Sequence, residues 1–374
     1  MKLTIERGAL LKALGHIQSV VERRNTIPIL ANVLLEASKG KLALTATDMD
    51  LAIVESAPAE VAKAGTITVQ AHTLYDIARK LPEGSQVGLE GGSDAKGGQV
   101  SLRAGRSTFT LASLPAEDFP KMAGGDLPHN FELSAADLRG LIDRTRFAIS
   151  TEETRYYLNG IYMHAAQAGG VKVLRAVATD GHRLARVEMP LPSGAEGVPG
   201  VILPRKTVME LRKLLDEAQG SIAISLSDTR VRFAFDDVVL TSKLIDGTFP
   251  DYARVIPSGN DKELVVDKKD FEAAVDRVST VSSERGRAVK LSLSGGKLIL
   301  SVTNPDSGSA TEEIEVEYDA DPIDIGFNSR YLLDIAAQID GEVAVLKLAD
   351  PGSPTLIQDK ESKGALYVLM PMRV

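Results

Sequence analysis

The sequence contains no cysteine and no tryptophan. The first absence excludes disulfides, thiolate nucleophiles and thiolate metal sites. The second, with aromatic residues at only 5%, leaves little material for stacking on unpaired bases. No apolar run approaches the roughly 18 residues that a membrane-spanning helix needs. The opening MKLTIERGALLKAL carries Glu6 where a secretory leader would be basic and then apolar, so a cytoplasmic protein is expected. An excess of basic residues is missing too: 43 Lys and Arg stand against 51 Asp and Glu, a net charge of −8. Nucleic-acid-binding domains are usually basic. Net charge is a sum, however, and an acidic chain still binds DNA if its cations share one surface.

Catalytic signatures are absent as well. There is no G-x-x-x-x-G-K-[ST] and no G-x-G-x-x-G after a strand, and neither H-E-x-x-H nor G-x-S-x-G occurs. His16, His72, His129, His164 and His182 are scattered without metal-ligand spacing. The nearest thing to a catalytic cluster is Thr179-Asp180-Gly181-His182-Arg183. An acid–base pair of Asp180 and His182 is one reading. The other is a polar turn in which Asp-Gly reverses the chain at a strand end, and the sequence favours it.

What is present is repetition, and a period of this kind decides the fold class. Three segments open with an alternating strand followed by an amphipathic helix. They are Leu3 and Ile5 before Leu10 and Leu14, Phe131 and Leu133 before Leu138 and Ile142, and Leu264 and Val266 before Phe271 and Val275. Seven positions separate the first strand residue from the first helix residue each time. Period two switches to a period near 3.6 at the same place in all three. A second strand-helix unit follows in each segment, with ten residues from Ile67 to Ile77, from Val201 to Leu211 and from Ile325 to Ile335. Strands fill the intervals, turning at Lys39-Gly40 and Gly295-Gly296. The spacing predicts an α+β protein of three similar domains, 1–124, 130–256 and 262–374, each a strand-helix-strands unit used twice. Gly/Pro-rich stretches at 122–130 and 256–262 supply the linkers, and the loop 91–98 reads as a hairpin tip.

Several segments lie in order along the chain: IPILANVLLEA (27–37), TRYYLNGIYMH (154–164), ATDGHRLA (178–185), SKLIDGTFPDYARVIP (242–257), IGFNSRYLLDI (325–335) and YVLMPMRV (367–374). Together they make the chain resemble the bacterial DNA sliding clamp family, the beta subunit of DNA polymerase III. The resemblance implies a head-to-tail homodimer forming a ring, with helices inside and sheets outside. Such a ring encircles double-stranded DNA without reading sequence and has no catalysis and no cofactor. It tethers the replicative polymerase, the clamp-loader ATPase complex and other polymerases and repair proteins.

The resemblance also implies three sets of residues. A peptide-binding cleft would use Arg155, Leu158, Thr179, Gly181, His182, Arg183, Leu184, Pro250, Arg254, Val255, Asn328, Tyr331, Val368, Leu369, Met370, Pro371, Met372 and Arg373. Pliable methionines suit a surface that takes several partners, and Arg155, His182 and Arg183 would hold peptide oxygens. DNA contacts would come from Arg24, Tyr156, Tyr157, Arg139, Arg205, Lys206 and Lys268. Lys12, Arg23, Arg144, Arg212, Lys213 and Lys269 lie on or near the same helices. The acids Glu152 and Glu153 beside Tyr156 argue against a strong phosphate contact there. The dimer interface would set Ile77, Leu81, Phe109 and Leu111 against Val281, Glu312 and Glu313, with Arg285 nearby and Arg79 or Arg106 pairing the acids. The competing readings are an enzyme built on Asp180-His182-Arg183, distinguished by turnover, and a solenoid-like scaffold, distinguished by behaviour on circular DNA.

Overall fold

The computed structural model describes residues 1–23, 26–92, 98–122, 125–282 and 287–374. Six α-helices occur among them: α1 (Arg7–Ile17), α2 (Ala71–Lys80), α3 (Ala135–Arg146), α4 (Arg205–Leu214), α5 (Lys268–Ser279) and α6 (Ser329–Ala336). Each follows directly on a strand, in order Lys2–Glu6, Gly65–Gln70, His129–Ser134, Val201–Pro204, Lys262–Asp267 and Ile323–Asn328. These are the six strand-helix units read from the spacing. The switch from strand to helix is made by a capping side chain at several of them. The Glu6 carboxylate accepts from the Ala9 N–H at 2.9 Å, Asp267 accepts from Asp270 at 2.9 Å, and Asn328 accepts from Arg330 at 3.0 Å. A cap of this kind satisfies amide donors that the first helical turn leaves unpaired. The turns also match: Lys39 and Gly40 have φ of 48° and 75°, and Gly295 and Gly296 have 52° and 78°. Positive φ at both central residues is what a two-residue hairpin requires.

The chain divides into two compact units. The first holds residues 1–138, 192–195 and 206–244, and the second holds 139–191, 196–205 and 245–374. The division cuts through the middle repeat: its opening strand His129–Ser134 lies in the first unit with the strands between 221 and 243, and Val201–Pro204 lies in the second unit with the strands between 160 and 190. In the first unit, a five-stranded sheet ends on the strand Ser107–Ser113, and an eight-stranded sheet joins strands of the first and middle repeats. In the second unit, an eight-stranded sheet joins the middle and last repeats, and a four-stranded sheet ends on Gly308–Glu315.

Each eight-stranded sheet contains one join between repeats, and the two joins are alike. In the first unit, Val238–Lys243 pairs antiparallel with Leu51–Pro58, Leu240 facing Ile53. In the second, Ala365–Leu369 pairs antiparallel with Arg183–Pro190, Tyr367 facing Ala185. Both joins put the last strand of a second half beside the last strand of the preceding repeat's first half. The helices cover one side of the sheets with their apolar stripe: Leu10, Ala13, Leu14 and Ile17 of α1 are buried, as are Phe271, Ala274, Val275 and Val278 of α5.

Candidate functional site

The second unit carries a cleft of about 290 Å³ beside the turn 179–183. Local chemistry builds that turn. The Asp180 carboxylate accepts from the backbone N–H of His182 at 2.9 Å and of Arg183 at 3.0 Å. The Thr179 hydroxyl donates to the Arg183 carbonyl at 2.7 Å. Gly181 sits at φ 88°, where an L side chain is strained, and a Cβ there would lie 2.6 Å from an Arg155 guanidinium nitrogen. Asp180 is therefore committed to holding backbone, which is the turn reading of this segment.

Arg183 fixes the turn to the rest of the unit. Its guanidinium donates to Asp180 at 3.1 Å, to Asp334 of α6 at 2.6 Å and to the Phe147 carbonyl at 2.7 Å. It also lies over the Tyr331 ring at 4.2 Å and the Phe147 ring at 5.1 Å. It lines the cleft with a side-chain exposure of only 10%. Three of its five N–H donors are used within the protein, and through them it sets the shape of the cleft.

The cleft brings together Arg155, Leu158, Thr179, Gly181, His182, Arg183, Leu184, Pro250, Val255, Val368 and Met370. Its apolar floor belongs to a buried cluster that includes Leu158, Val177, Leu184, Phe249, Tyr252 and Val368. Val255 and Met370 are 50% and 39% exposed, so the rim offers apolar surface to water. Arg155 is held by Glu152, whose carboxyl is lowered from its ordinary range by the Thr154 hydroxyl and then by Arg155 itself.

The other residues expected in this set lie elsewhere. Leu369 is fully buried in its strand, so its side chain is core. Asn328 is spent on capping α6. Tyr331 packs on Arg183 rather than lining the cleft. Arg254 points to solvent and pairs with Asp251 at 2.8 Å. Pro371, Met372 and Arg373 run past the cleft, and the Met372 N–H donates to the Gly326 carbonyl at 2.7 Å. Gly326 allows that approach, since a Cβ on it would meet the Met372 carbonyl at 2.7 Å. Tyr157, Asp251 and Tyr252 line the cleft although they were not expected there. Asp251 and Tyr252 immediately follow the Phe249-Pro250 pair, so the motif itself marked them.

The cations expected on DNA divide sharply. Arg24 lies outside the described residues, as does Arg285 of the interface set. The Lys206 ammonium donates to Asp48 at 2.6 Å and to the Val20 carbonyl at 3.2 Å, so its charge is locally paired. Lys268 donates to the Ile339 carbonyl at 2.6 Å. Arg144 pairs with Asp340 at 2.7 Å, Lys12 with Glu217 at 2.9 Å and Lys213 with Glu210 at 2.8 Å, and Arg212 donates to Asp216 at 2.5 Å. Arg139 is half-buried. Arg205, Lys269 and Arg23 are exposed and carry no ion pair among the described residues. Tyr156 is exposed, while Tyr157 turns into the cleft.

Phe109, Leu111, Glu312 and Glu313 of the interface set lie on two outer strands. Phe109 and Leu111 are half-exposed on Ser107–Ser113. Glu312 pairs with Arg277, and Glu313 pairs with Lys297 at 2.8 Å, so neither acid is reserved for Arg79 or Arg106. Leu81 is buried at the end of α2, Ile77 is half-buried, and the Val281 carbonyl accepts from Asn304 at 3.0 Å.

Three family models cover nearly the whole chain. The N-terminal, central and C-terminal domains of the DNA polymerase III beta subunit match residues 1–123, 132–251 and 253–373. The chain belongs to the DNA polymerase III beta subunit family. The beta sliding clamp of Caulobacter vibrioides is 54% identical across all of both chains. A solved sliding clamp of Bartonella birtlesii bound to griselimycin superposes with a TM-score of 0.96 at 53% identity, covering 100% of each chain. That of Pseudomonas aeruginosa bound to griselimycin gives 0.93 at 40% identity, again over 100% of each. As a member of this family the chain is a DNA polymerase processivity factor of the DNA-clamp fold, an accessory subunit and not an enzyme.

Proposed function

We propose that two copies of this chain close head to tail into a cytoplasmic ring around duplex DNA, and that the cleft beside the turn 179–183 receives the replicative polymerase, the clamp loader and other partners. The three clamp domains are 1–124, 130–256 and 262–374. One observation carries the ring. Both internal joins link the last strand of one repeat's second half to the last strand of the preceding repeat's first half. That rule leaves two strands of the same kind unjoined, Ser107–Ser113 and Gly308–Glu315, and each is the outer strand of its sheet. Exposed edges with unpaired backbone groups are normally blunted or covered. Here they are the first repeat's second half and the last repeat's first half, so the same rule applied between copies covers both and closes the assembly.

The cleft reading rests on its apolar floor, its exposed Val255 and Met370, and its few oriented polar groups, the usual make-up of a peptide site. Griselimycin, which the Bartonella and Pseudomonas clamps bind, is assigned to the same cleft. Arg205 and Lys269 are the favoured DNA contacts, and Arg23, Arg24, Tyr156 and Arg139 are further candidates. The deciding experiment loads the protein on nicked circular DNA and then linearises it. Retention that is lost on cutting supports the ring; retention on short linear duplex that resists salt refutes it.

A further inference from the structure

Residues 245–256 cross the sheet face that carries Tyr162, Arg175, Leu184, Arg186 and Val368, and they form one wall of the cleft through Pro250, Tyr252 and Val255. Backbone bonding anchors the start of this segment, where the Ile245 N–H donates to the Ile202 carbonyl at 3.0 Å. Further along, side chains hold it. The Phe249 ring stacks on Tyr162 with centroids 4.9 Å apart and an interplanar angle of 10°. Tyr162 stacks in turn on His164 at 4.6 Å. The Tyr252 hydroxyl lies 2.9 Å from His164 Nε2 and 3.4 Å from an Arg175 guanidinium nitrogen, and Arg175 donates to Glu188 at 2.7 Å.

The tautomer follows from the partners. His164 Nδ1 is 2.9 Å from the Ala165 carbonyl, which only accepts, so Nδ1 carries the proton. Nε2 is then a bare acceptor for the Tyr252 O–H, while the Tyr252 oxygen accepts from Arg175. We infer that His164, with Arg175 and Glu188 behind it, is a positioning residue for partner binding: as a neutral imidazole it pins the Tyr252 wall at the width the partner's side chain requires. This rests on the cleft being the partner site. None of His164, Arg175 and Glu188 lines the cleft, so their hydrogen bonds reach it through Tyr252, beside the stack of His164 on Tyr162 and Phe249.

The surroundings oppose a charge on His164. Burial lowers its pKa first, the Ala165 hydrogen bond opposes that, and Arg175 lowers it further. The charged and titratable groups facing it are Arg175 and Glu188 on the neighbouring strands, Tyr252 on the crossing segment and Tyr162 on its own strand, with Arg186 beside Glu188 at 3.9 Å. Two guanidinium groups share one carboxylate there, so protonation adds a like charge and removes the acceptor from Tyr252.

The test measures griselimycin affinity of the full-length protein from pH 5 to 7.5 for wild type, His164→Phe, Tyr252→Phe and His164→Gln, with Leu184→Glu as a control on the cleft itself. His164→Phe keeps the stack and loses the acceptor; Tyr252→Phe keeps the wall and loses the donor. Each should weaken binding about three- to tenfold at pH 7.5, and the double variant no more than either single one. Wild-type affinity should fall on acidification, and His164→Gln, which retains an acceptor that does not titrate, should bind nearly as wild type with a flat profile. Unchanged affinity in both single variants, additive losses, or identical pH profiles for wild type and His164→Gln overturn the assignment. Normal binding by Leu184→Glu would instead overturn the placement of griselimycin in this cleft. Should His164→Phe fail to fold, Tyr252→Phe and the pH profiles decide.

Discussion

The absence of cysteine makes the proposed closure directly testable, because any pair introduced is the only one present. In both internal joins the third residue of one strand faces the third residue of the other: Leu240 faces Ile53, and Tyr367 faces Ala185. Carried to the two unjoined edges, this register sets Phe109 opposite Ala310, Thr110 opposite Ser309 and Leu111 opposite Gly308. Thr110 and Ser309 are exposed on their strands, so replacing them leaves the core intact. Facing residues of an antiparallel pair lie about 4.5–5.5 Å apart at Cα, inside the roughly 4.4–6.8 Å span of a disulfide. A slip of two residues adds about 6.8 Å along the strand and opens that gap to about 8 Å, beyond reach. Thr110→Cys with Ser309→Cys in one chain should therefore give a covalent dimer on a non-reducing gel after mild oxidation, whereas Thr110→Cys with Thr311→Cys should stay monomeric. A mixture of the two single variants should give one bridge per dimer. If the slipped pair links and the in-register pair does not, the transferred register is wrong; if neither links, these edges do not meet.

Other outcomes follow from the same structure. Arg183→Met leaves Asp180 and Asp334 without their shared cation, and breaking a mostly buried pair costs about 3–5 kcal/mol; urea midpoints should drop accordingly, and lost griselimycin affinity with unchanged stability would mean that Arg183 touches the ligand itself. His16 faces a carboxylate oxygen with each ring nitrogen, Glu55 at 2.7 Å and Glu217 at 3.3 Å, and both carboxylates favour the protonated ring. Its pKa is raised, chiefly by the Glu55 hydrogen bond. The stability it contributes is complete below the unfolded value of about 6.5 and is lost as pH rises through the raised folded value. Urea midpoints of wild type should therefore decline on that side, and those of His16→Gln should not. Deleting residues 370–374 removes Met370 from the cleft and two backbone bonds, Met370 to His182 at 2.9 Å and Met372 to Gly326 at 2.7 Å. Griselimycin binding should be lost while sedimentation still shows a dimer, and a monomer would make the tail structural.

The elements were legible in the sequence because their causes are local. Alternation in Leu3 and Ile5, the spacing to Leu10 and Leu14 and a Lys39-Gly40 turn all act within one turn or one strand. The joins between repeats were not legible. Nothing in Val238–Lys243 specifies Leu51–Pro58 as its neighbour until the whole sheet is assembled. The cleft was half legible for the same reason. Asp180-Gly181 announces a turn, but the anchoring of Arg183 depends on Asp334, 151 positions later. Motif resemblance put Asn328, Tyr331 and Leu369 in the cleft set. Only packing shows that one caps a helix, one underlies Arg183 and one is core.

The acidity of the chain takes on a different meaning once the ion pairs are placed. Cations on the helices were expected to supply a positive field, yet Lys12, Arg144, Lys206, Arg212 and Lys213 each have a carboxylate partner. A paired cation contributes little to counterion release, the main source of affinity for duplex DNA. Arg205, Lys269 and Arg23 are exposed without such a partner among the described residues, and so few contacts per chain make a weak, salt-sensitive association. For an enzyme that must find and hold a sequence this would be a defect. A processivity factor has the opposite requirement, since every strong phosphate contact is a barrier to sliding. If closure of the two free strand edges keeps the protein on DNA, neutralising most of the helical cations lowers friction without lowering retention. The net charge of −8 is then compatible with the function because retention does not depend on charge.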